Sequence, residues 1–397
     1  QGLVENVQIL SSNLVSNGDF SQEGAEQVTN GSFSQEGSEL VTNGDFATDS
    51  NWTKQNGSTI SNSEATVIAG NDNIGNGRAN HSLYQDNVFE VGKSYLVTFK
   101  AKQTVGSGLF QVGQGTAQSL NIATTSSFVT YTWNFTATSN TYETSLVFGG
   151  RTSLNEFVID NVSVKEVGQD WTLGTGWSIG EDKAVRANAS DNTPISQVIN
   201  VVSGKTYNVS YTRKYISGGG QTNLYSKFIT QGVNLTLGNY DSQVQESIVV
   251  TTQFTPTYSG TLNLQLYGIG TFNGDITNIS VKEVGQNWTL GTGWSIGDNK
   301  AVANTTGNFV NLYQNSTFVV GKTYKTTFTI SDYTQGSVRL TENGYDISGF
   351  QNAVGTYTTY FTASQTDLYM QGHSSFIGSV TNISVIEITD DTNLPRI

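Results

Sequence analysis

Three short motifs carry the residue types of a phosphate-binding loop: Gly-Lys-Ser-Tyr at 92–95, and Gly-Lys-Thr-Tyr at 204–207 and 321–324. A phosphate cradle also needs a glycine five residues upstream and a helix N-terminus downstream. Asn87, Ile199 and Ser316 stand at the upstream position, and alternating strand-like sequence follows each motif, so all three read as turns entering strands. Acid/base hydrolysis needs two carboxylates in one cleft, yet acidic residues do not recur at matching strand positions. Glu166 and Glu283 do repeat, in Val-Lys-Glu-Val, where Lys165 and Lys282 mark them as solvent-facing strand ends. No catalytic residue is assigned, and the chain reads as non-enzymatic. Zero cysteines exclude thiol chemistry, disulfides and cysteine-based zinc sites. His81 and His373 are too few for a histidine triad or metal cluster.

What remains is recognition. The chain has 6 Trp, 18 Tyr and 19 Phe; aromatic faces meet the C–H patches of sugar rings while Asn, Gln and Asp hold hydroxyls. Trp52, Trp177 and Trp294 sit at the ends of first strands, where a core or junction role is expected. The candidate carbohydrate-binding residues lie in strands and loops that differ between units: His81, Tyr84, Arg151, Tyr225, Tyr267, Tyr345 and Tyr369.

These residues must be positioned by repeating elements. Residues 161–185 and 278–302 are nearly identical across a shift of 117, differing only at Val162/Ile279, Asp170/Asn287, Glu181/Asp298 and Asp182/Asn299. The segment joins the last strand of one unit to the first strand of the next, so the junction itself is repeated and sets equal angles between neighbours. Each unit has a first strand near a Trp, a strand at Leu83-Tyr84-Gln85, Ile195-Ser196-Gln197-Val198 or Leu312-Tyr313-Gln314, the Gly-Lys-[Ser/Thr]-Tyr turn, an alternating strand, and a closing Asn-[Val/Ile]-Ser-Val at 161, 278 or 382. The Asn-x-[Ser/Thr] sequons, these three included, follow from composition and receive no role. Helix signals are almost absent; short alternating strands punctuated by Gly, Asn and Ser predict antiparallel sandwiches. The fold class is therefore all-β, a tandem array of three antiparallel β-sandwiches with an extended N-terminal repeat arm. The expected boundaries are 1–39 for the arm, 40–167, 168–284 and 285–388 for the sandwiches, and 389–397 for a polar tail. Val164, Val281 and Val385 are expected to be buried on the closing strands.

The arm repeats Asn-Gly-[Asp/Ser]-Phe at 17, 30 and 43, thirteen residues apart. Asn-Gly favours a tight turn because both residues tolerate positive φ. Its apolar residues (Leu14, Val15, Val28, Leu40 and Val41) are too few for a private core. Residues 1–39 are thus expected to be ordered only against a neighbouring subunit or a virion, the alternative being a disordered relic of replication slippage. Charged residues are 13% against a usual ~25%, so neutral polar groups carry solubility, as in many extracellular β-proteins. With 19 basic and 32 acidic residues, net −13, nucleic acid is excluded as a partner. No apolar run reaches the ~18 residues of a membrane span. The start at Gln1 reads as a processed product or a fragment.

The pattern Leu40-Val41-Thr42-Asn43-Gly44-Asp45-Phe46, Asn51-Trp52, Val91-Gly92-Lys93-Ser94-Tyr95 and Ile159-Asp160-Asn161-Val162-Ser163-Val164 resembles carbohydrate-binding modules of galactose-binding-like jelly-roll fold, over residues 40–388. With the stuttered arm and the Thr389-Asp390-Asp391-Thr392-Asn393-Leu394-Pro395-Arg396-Ile397 ending, the chain is similar to bacteriophage fibre and tail proteins, especially of marine or Bacteroidota hosts. The resemblance implies a structural and adhesive fibre or appendage protein, at a virion surface or extracellular, contacting host-surface glycans. Its implied partners are further copies of itself, such fibres often being trimers, or other virion proteins. No cofactor is required. The family's structural calcium would fall on Asp45 and Asp160, the alternative being two surface aspartates; Thr277 and Thr381 replace Asp160 in the later units. Those units also begin with Gly-Gln-[Asp/Asn]-Trp in place of Asn-Gly-Asp-Phe. The competing functions are a secreted bacterial surface adhesin, the carbohydrate-binding part of a polysaccharide-degrading enzyme, and a self-assembling extracellular filament subunit in which the arm completes a neighbour's sandwich.

Overall fold

The computed structural model describes residues 8–151, 154–187, 193–217, 224–230, 233–240 and 246–389, with backbone only between 224 and 240. The polar tail from 390 onward lies outside the described residues. Three two-sheet sandwiches follow one another. In sandwich 1 one sheet runs Val129–Thr136, Ser94–Val105, Glu156–Val167, Glu64–Ile68, Thr59–Ser61, and the facing sheet Thr53–Lys54, Leu83–Gln85, Leu146–Gly150, Phe110–Gln114, Gln118–Ile122. Sandwich 2 repeats this order, with Ile248–Phe254, Thr206–Ser217, Asn273–Val284, Lys183–Arg186, Trp177–Gly180 facing Thr172–Leu173, Pro194–Val201, Gly260–Gly268, Leu224–Thr230, Val233–Tyr240. In sandwich 3 the long strands Thr323–Glu342 and Leu368–Ile388 pass through both sheets, bending at register shifts between Ile330 and Ser337. Bulges bend strands in this way. All described pairings are antiparallel, and no described helix is long and apolar enough to cross a membrane.

Period-two alternation builds the cores: Tyr95, Val97, Phe99 and Ala101 point inward from Ser94–Val105, as Tyr207, Val209 and Tyr211 do from its counterpart. Val164, Val281 and Val385 are all fully buried, as expected. The Gly-Lys-[Ser/Thr]-Tyr motif is indeed a turn into a strand: Gly92, Gly204 and Gly321 have φ of 88°, 77° and 85°. The tyrosine then reaches back, its hydroxyl accepting the N–H of Glu90, Val202 or Val319 at 2.7, 3.0 and 2.9 Å.

The arm has its partners inside its own chain. Each thirteen-residue repeat supplies the first-strand element of a different sandwich, in reverse order. Val41 and Phe46 enter the core of sandwich 1, Val28 and Phe33 that of sandwich 2, and Val15 and Phe20 that of sandwich 3. A Val and a Phe together contribute roughly 3–6 kcal/mol of apolar burial, enough to hold a short segment that could never form a core alone. For residues 8–39 this corrects the expectation of order only through another subunit or a virion and removes the alternative of a disordered relic; residues 1–7 lie outside the described residues. It also explains the missing Asn-Gly-Asp-Phe of the later units, which receive theirs from positions 30–33 and 17–20.

The docking geometry recurs atom for atom. Trp52, Trp171 and Trp288 donate their indole N–H to the carbonyls of Asn43, Asn30 and Asn17 at 3.0, 3.1 and 3.0 Å, while their rings lie 5.2–5.4 Å from Phe46, Phe33 and Phe20. Gln85, Gln197 and Gln314 each use a side-chain amide as a two-way clamp on the backbone of Thr42, Thr29 or Ser16. Asn161, Asn278 and Asn382 occupy the left-handed region (φ 51°, 53° and 53°) at a bulge in each closing strand, a conformation asparagine tolerates better than most residues. The bulge turns the next N–H outward, and Val162, Ile279 and Ile383 donate it to the carbonyls of Gly44, Gly31 and Gly18 at 2.8, 2.9 and 2.9 Å. The recurring sequon is therefore the receiving half of the arm's dock.

Forward and return connections cross at the same place. The chain passes from sandwich 1 to 2 through Gly168 to Asp170, while the arm passes back between them through Ser34 and Gln35, since Phe33 is docked on sandwich 2 and Glu36 already pairs with Val167. Ser21 and Gln22 do the same between sandwiches 3 and 2. Residues 8–10 end beside the last strand, with an Ile9–Ile388 bridge and a 2.8 Å bond from Leu10 N to Glu387 O.

Candidate functional site

The sheet that begins with the short strand after Trp52, Trp171 or Trp288 presents an outward face in each sandwich, and the three faces differ. In sandwich 3 the strands Val310–Gln314, Leu368–Ile388 and Thr323–Glu342 lie side by side in a register that stacks outward residues in rows. Tyr313 faces Tyr369, and their rings are 5.0 Å apart. In the next row the Gln371 amide donates to Asn311 Oδ1 at 3.1 Å and accepts from Arg339 Nε and Nη2 at 3.0 and 2.8 Å. Arg339 also reaches Asp346 at 3.4 Å and lies 4.4 Å from the centre of the Phe350 ring. The third row is aromatic: His373 stands 5.1 Å from Phe309 and 4.7 Å from Phe350, which are 52% and 43% exposed. Beneath this platform Leu312, Val338, Leu340, Leu368 and Met370 are fully buried, so the strands carrying it are fixed by the core. Burial pushes the Tyr369 hydroxyl pKa up, with Asp367 acting in the same direction, which keeps it a neutral donor and acceptor. A groove of about 370 Å³ runs beside Tyr313, lined by Leu14, Asn287, Asn315 and Ser316 among others.

In sandwich 1 the same face is roofed. Ile74, on the turn Ile74–Asn76, packs on Tyr84 and Val147. Gly113 and Gly149 make room for it, because a Cβ on either would lie 2.6 or 2.5 Å from the Ile74 side chain. Arg78 stacks over Tyr84 at 4.2 Å and over Tyr142 at 4.7 Å while pairing with Asp86 at 2.8 Å. His81 is enclosed, with Nε2 3.2 Å from Ile74 O. Sandwich 2 presents a plainer polar face, where Tyr267 donates to Gln265 Oε1 at 2.6 Å beside Val198 and Asn263.

Of the candidate residues, His81 and Tyr84 thus come together beneath a lid, Tyr369 lies on the open platform, and Tyr345, 64% exposed, lies on the hairpin at its edge. Tyr267 is half-buried on the second face. Tyr225 is its register partner, but its side chain lies outside the described residues. Arg151 is exposed at the end of Leu146–Gly150 and joins none of these groups, its backbone N–H donating to Leu109 O at 3.2 Å. Asn311, Tyr313, Arg339, Phe309, Phe350, Gln371 and His373 complete the platform and were not singled out from sequence.

Asp45 and Asp160 each spend Oδ1 on a local backbone N–H, of Ala47 at 3.3 Å and Asn161 at 2.7 Å. Calcium takes six to eight oxygens, and among the described residues no three His, Asp or Glu side chains converge as a metal site.

Burial holds the His81 imidazole pKa down from 6.5 to about 4, against the opposing hydrogen bond to Ile74. Since the folded value lies below the unfolded one, falling pH protonates the unfolded chain first. Stability from neutral His81 is complete above pH 6.5 and is lost progressively down to about pH 4. At ~1.4 kcal/mol per pH unit the loss is of order 3–3.5 kcal/mol. The melting temperature of sandwich 1 is therefore expected to fall more steeply over that window in the native chain than in His81→Gln; parallel profiles would remove His81 from the account.

No family model matches the chain, and none of the curated proteins does. Among solved structures it is similar to the N-terminal CBM22-1-CBM22-2 tandem domain of Paenibacillus barcinonensis Xyn10C, at 11% identity and a TM-score of 0.27, covering 63% of this chain and 99% of that one. It is also similar to a chain of Sulfolobus Turreted Icosahedral Virus, at 10% identity and a TM-score of 0.18, covering 86% and 91%. The plant receptor-like kinase ANX1 is a third, at 10% identity and a TM-score of 0.21, covering 54% and 87%. Likenesses this loose carry no argument about function. The strand order defines the class: an all-β tandem of three jelly-roll sandwiches.

Proposed function

We propose that the chain is a non-enzymatic structural and adhesive protein, part of a bacteriophage fibre or appendage, that holds a glycan on the outward face of its third sandwich. The observation that carries this is the Asn311, Gln371 and Arg339 row set between two aromatic rows. Aromatic faces there can stack on sugar C–H patches while the amides and guanidinium hold ring hydroxyls. Arg339 is already neutralised by Asp346, which favours an uncharged sugar over an acidic one. The test is a titration of the full chain against neutral and acidic polysaccharides. A neutral glycan is expected to bind without release of reducing sugar, and Tyr313→Ala and Gln371→Ala should each weaken it at least tenfold, Gln371→Ala also lowering the melting temperature because its buried amide holds Arg339 and Asn311. Binding that survives both substitutions would refute the site, and sugar release abolished by one Asp or Glu substitution would make the protein an enzyme.

A further inference from the structure

We propose that the docks for the first two arm repeats are exchangeable peptide-binding sites, and that a second copy of this chain fills them, so that two chains close each other's second and third sandwiches by trading residues 8–33. Three observations lead there. First, the docks are chemically alike: each offers a Gln clamp, an indole N–H, an outward N–H from the closing-strand bulge and a pocket for one Val and one Phe. An incoming segment of the form Val-x-Asn-Gly-x-Phe meets the same partners whichever chain it comes from. Second, only Ser34 and Gln35 lie between the docked Phe33 and Glu36, which pairs with Val167 of sandwich 1, so a change of direction at two residues sends both upstream repeats to another chain together. Third, the leading repeat lacks two side-chain ties of the others: Asn13 makes one bond to the closing strand where Glu26 and Glu39 make two each, and Leu10 stands where Glu23 and Glu36 pair with Lys282 and Lys165.

Identical contacts in the closed and exchanged forms cancel, so the balance depends on the effective concentration of the tethered arm against that of free chains. Closed single chains then dominate when dilute, and exchanged pairs when concentrated. Residues 36–46 stay with their own sandwich in both forms, and Ser34 and Gln35 form the hinge.

The absence of cysteine allows a direct test with full-length chains. Glu26 and Lys282 are register partners across the dock on sandwich 2, and Glu39 and Lys165 across the dock of the third repeat on sandwich 1; antiparallel partners lie at disulfide-compatible Cα separation. Chains carrying Glu26→Cys and chains carrying Lys282→Cys, refolded together at high concentration, are expected to yield a covalent heterodimer. The pair Glu39→Cys and Lys165→Cys should not, because that repeat does not travel. A heterodimer yield no higher than this control overturns the proposal. A second measurement is independent of the cysteines. Deleting Ser34 and Gln35 removes about 7 Å of reach from the link between the docked Phe33 and Glu36, and is expected to convert the dilute chain from monomer to dimer by light scattering. A deletion variant that stays monomeric with residues 23–33 still protected from hydrogen exchange would equally refute exchange. Neither readout involves glycan, so failure here leaves the adhesive function standing, and the reverse.

Discussion

Phe33→Ala is expected to destabilise sandwich 2, whose sequence begins more than a hundred residues later, while leaving sandwich 1 next to it almost untouched. Phe33 is 2% exposed, lies 5.2 Å from Trp171 and belongs to the same core as Val209, Tyr211 and Val281. Removing a buried phenylalanine costs about 3–5 kcal/mol, because the cavity relaxes only in part. That corresponds to roughly a hundred- to several-thousand-fold faster hydrogen exchange through opening of sandwich 2, read on strands Thr206–Ser217 and Asn273–Val284. Strand Ser94–Val105 should keep its protection, since sandwich 1 uses Phe46. The series should run backwards along the chain: Phe20→Ala loosens the last sandwich and Phe46→Ala the first. Equal loosening of all three, or none, would show that the arm does not complete the sandwiches one by one.

Most of the fold was legible because its signals are local. Period-two alternation in residues 95–101 and their counterparts, with glycines forced into positive φ at 92, 204 and 321, fixes strands and turns without knowledge of what packs on them. The repeated junction was visible too, and the structure supplies its cause. Gln169 and Gln286 lie under the returning arm, where a Cβ on Gly37 or Gly24 would come within 2.8 or 3.0 Å of their amide nitrogens. Residues 161–185 and 278–302 thus meet nearly the same arm sequence in the same pose. The destination of the arm was not legible, because it depends on pairing between segments such as Gln27 and Val281, more than 250 residues apart. One clue was present: three Asn-Gly-x-Phe copies stand beside three units, only one of which has its own.

The platform escaped for a related reason. Asn311 and Tyr313 share one side of a strand, as do Tyr369, Gln371 and His373, and that much follows from alternation. That Tyr313 faces Tyr369 and Gln371 faces both Asn311 and Arg339 depends on a register the sequence does not display. Variation between units was a fair guide to exposure for Tyr345 and Tyr369. It misled at His81, where the unit-specific segment folds down as a lid, and two glycines receive Ile74.

The Asn-Gly turn carries the second large expected effect, and it separates a docked arm from one merely lying nearby. A Cβ on Gly31 would lie 1.9 Å from the carbonyl oxygen of Ile279, the same residue whose N–H donates to Gly31 O at 2.9 Å. That carbonyl belongs to a closing strand already held at the Asn278 bulge, so no flexible side chain can swing aside. Gly31→Ala must lift the turn, losing the hydrogen bond (about 0.5–1.5 kcal/mol) on top of about 1–3 kcal/mol of steric strain. Gly321→Ala provides the contrast: it has φ of 85° but open space around it, so its cost is only the roughly 1–2 kcal/mol of left-handed backbone. In Gly31→Ala, residues 23–33 should become the first site of proteolysis and lose their hydrogen-exchange protection, with sandwich 2 melting early. Gly18→Ala and Gly44→Ala, with Cβ positions 2.0 Å from the carbonyls of Ile383 and Val162, should repeat the result on sandwiches 3 and 1. A Gly31→Ala chain that melts as the native one does, with its arm still protected, would mean that the turn does not sit against Ile279 at all.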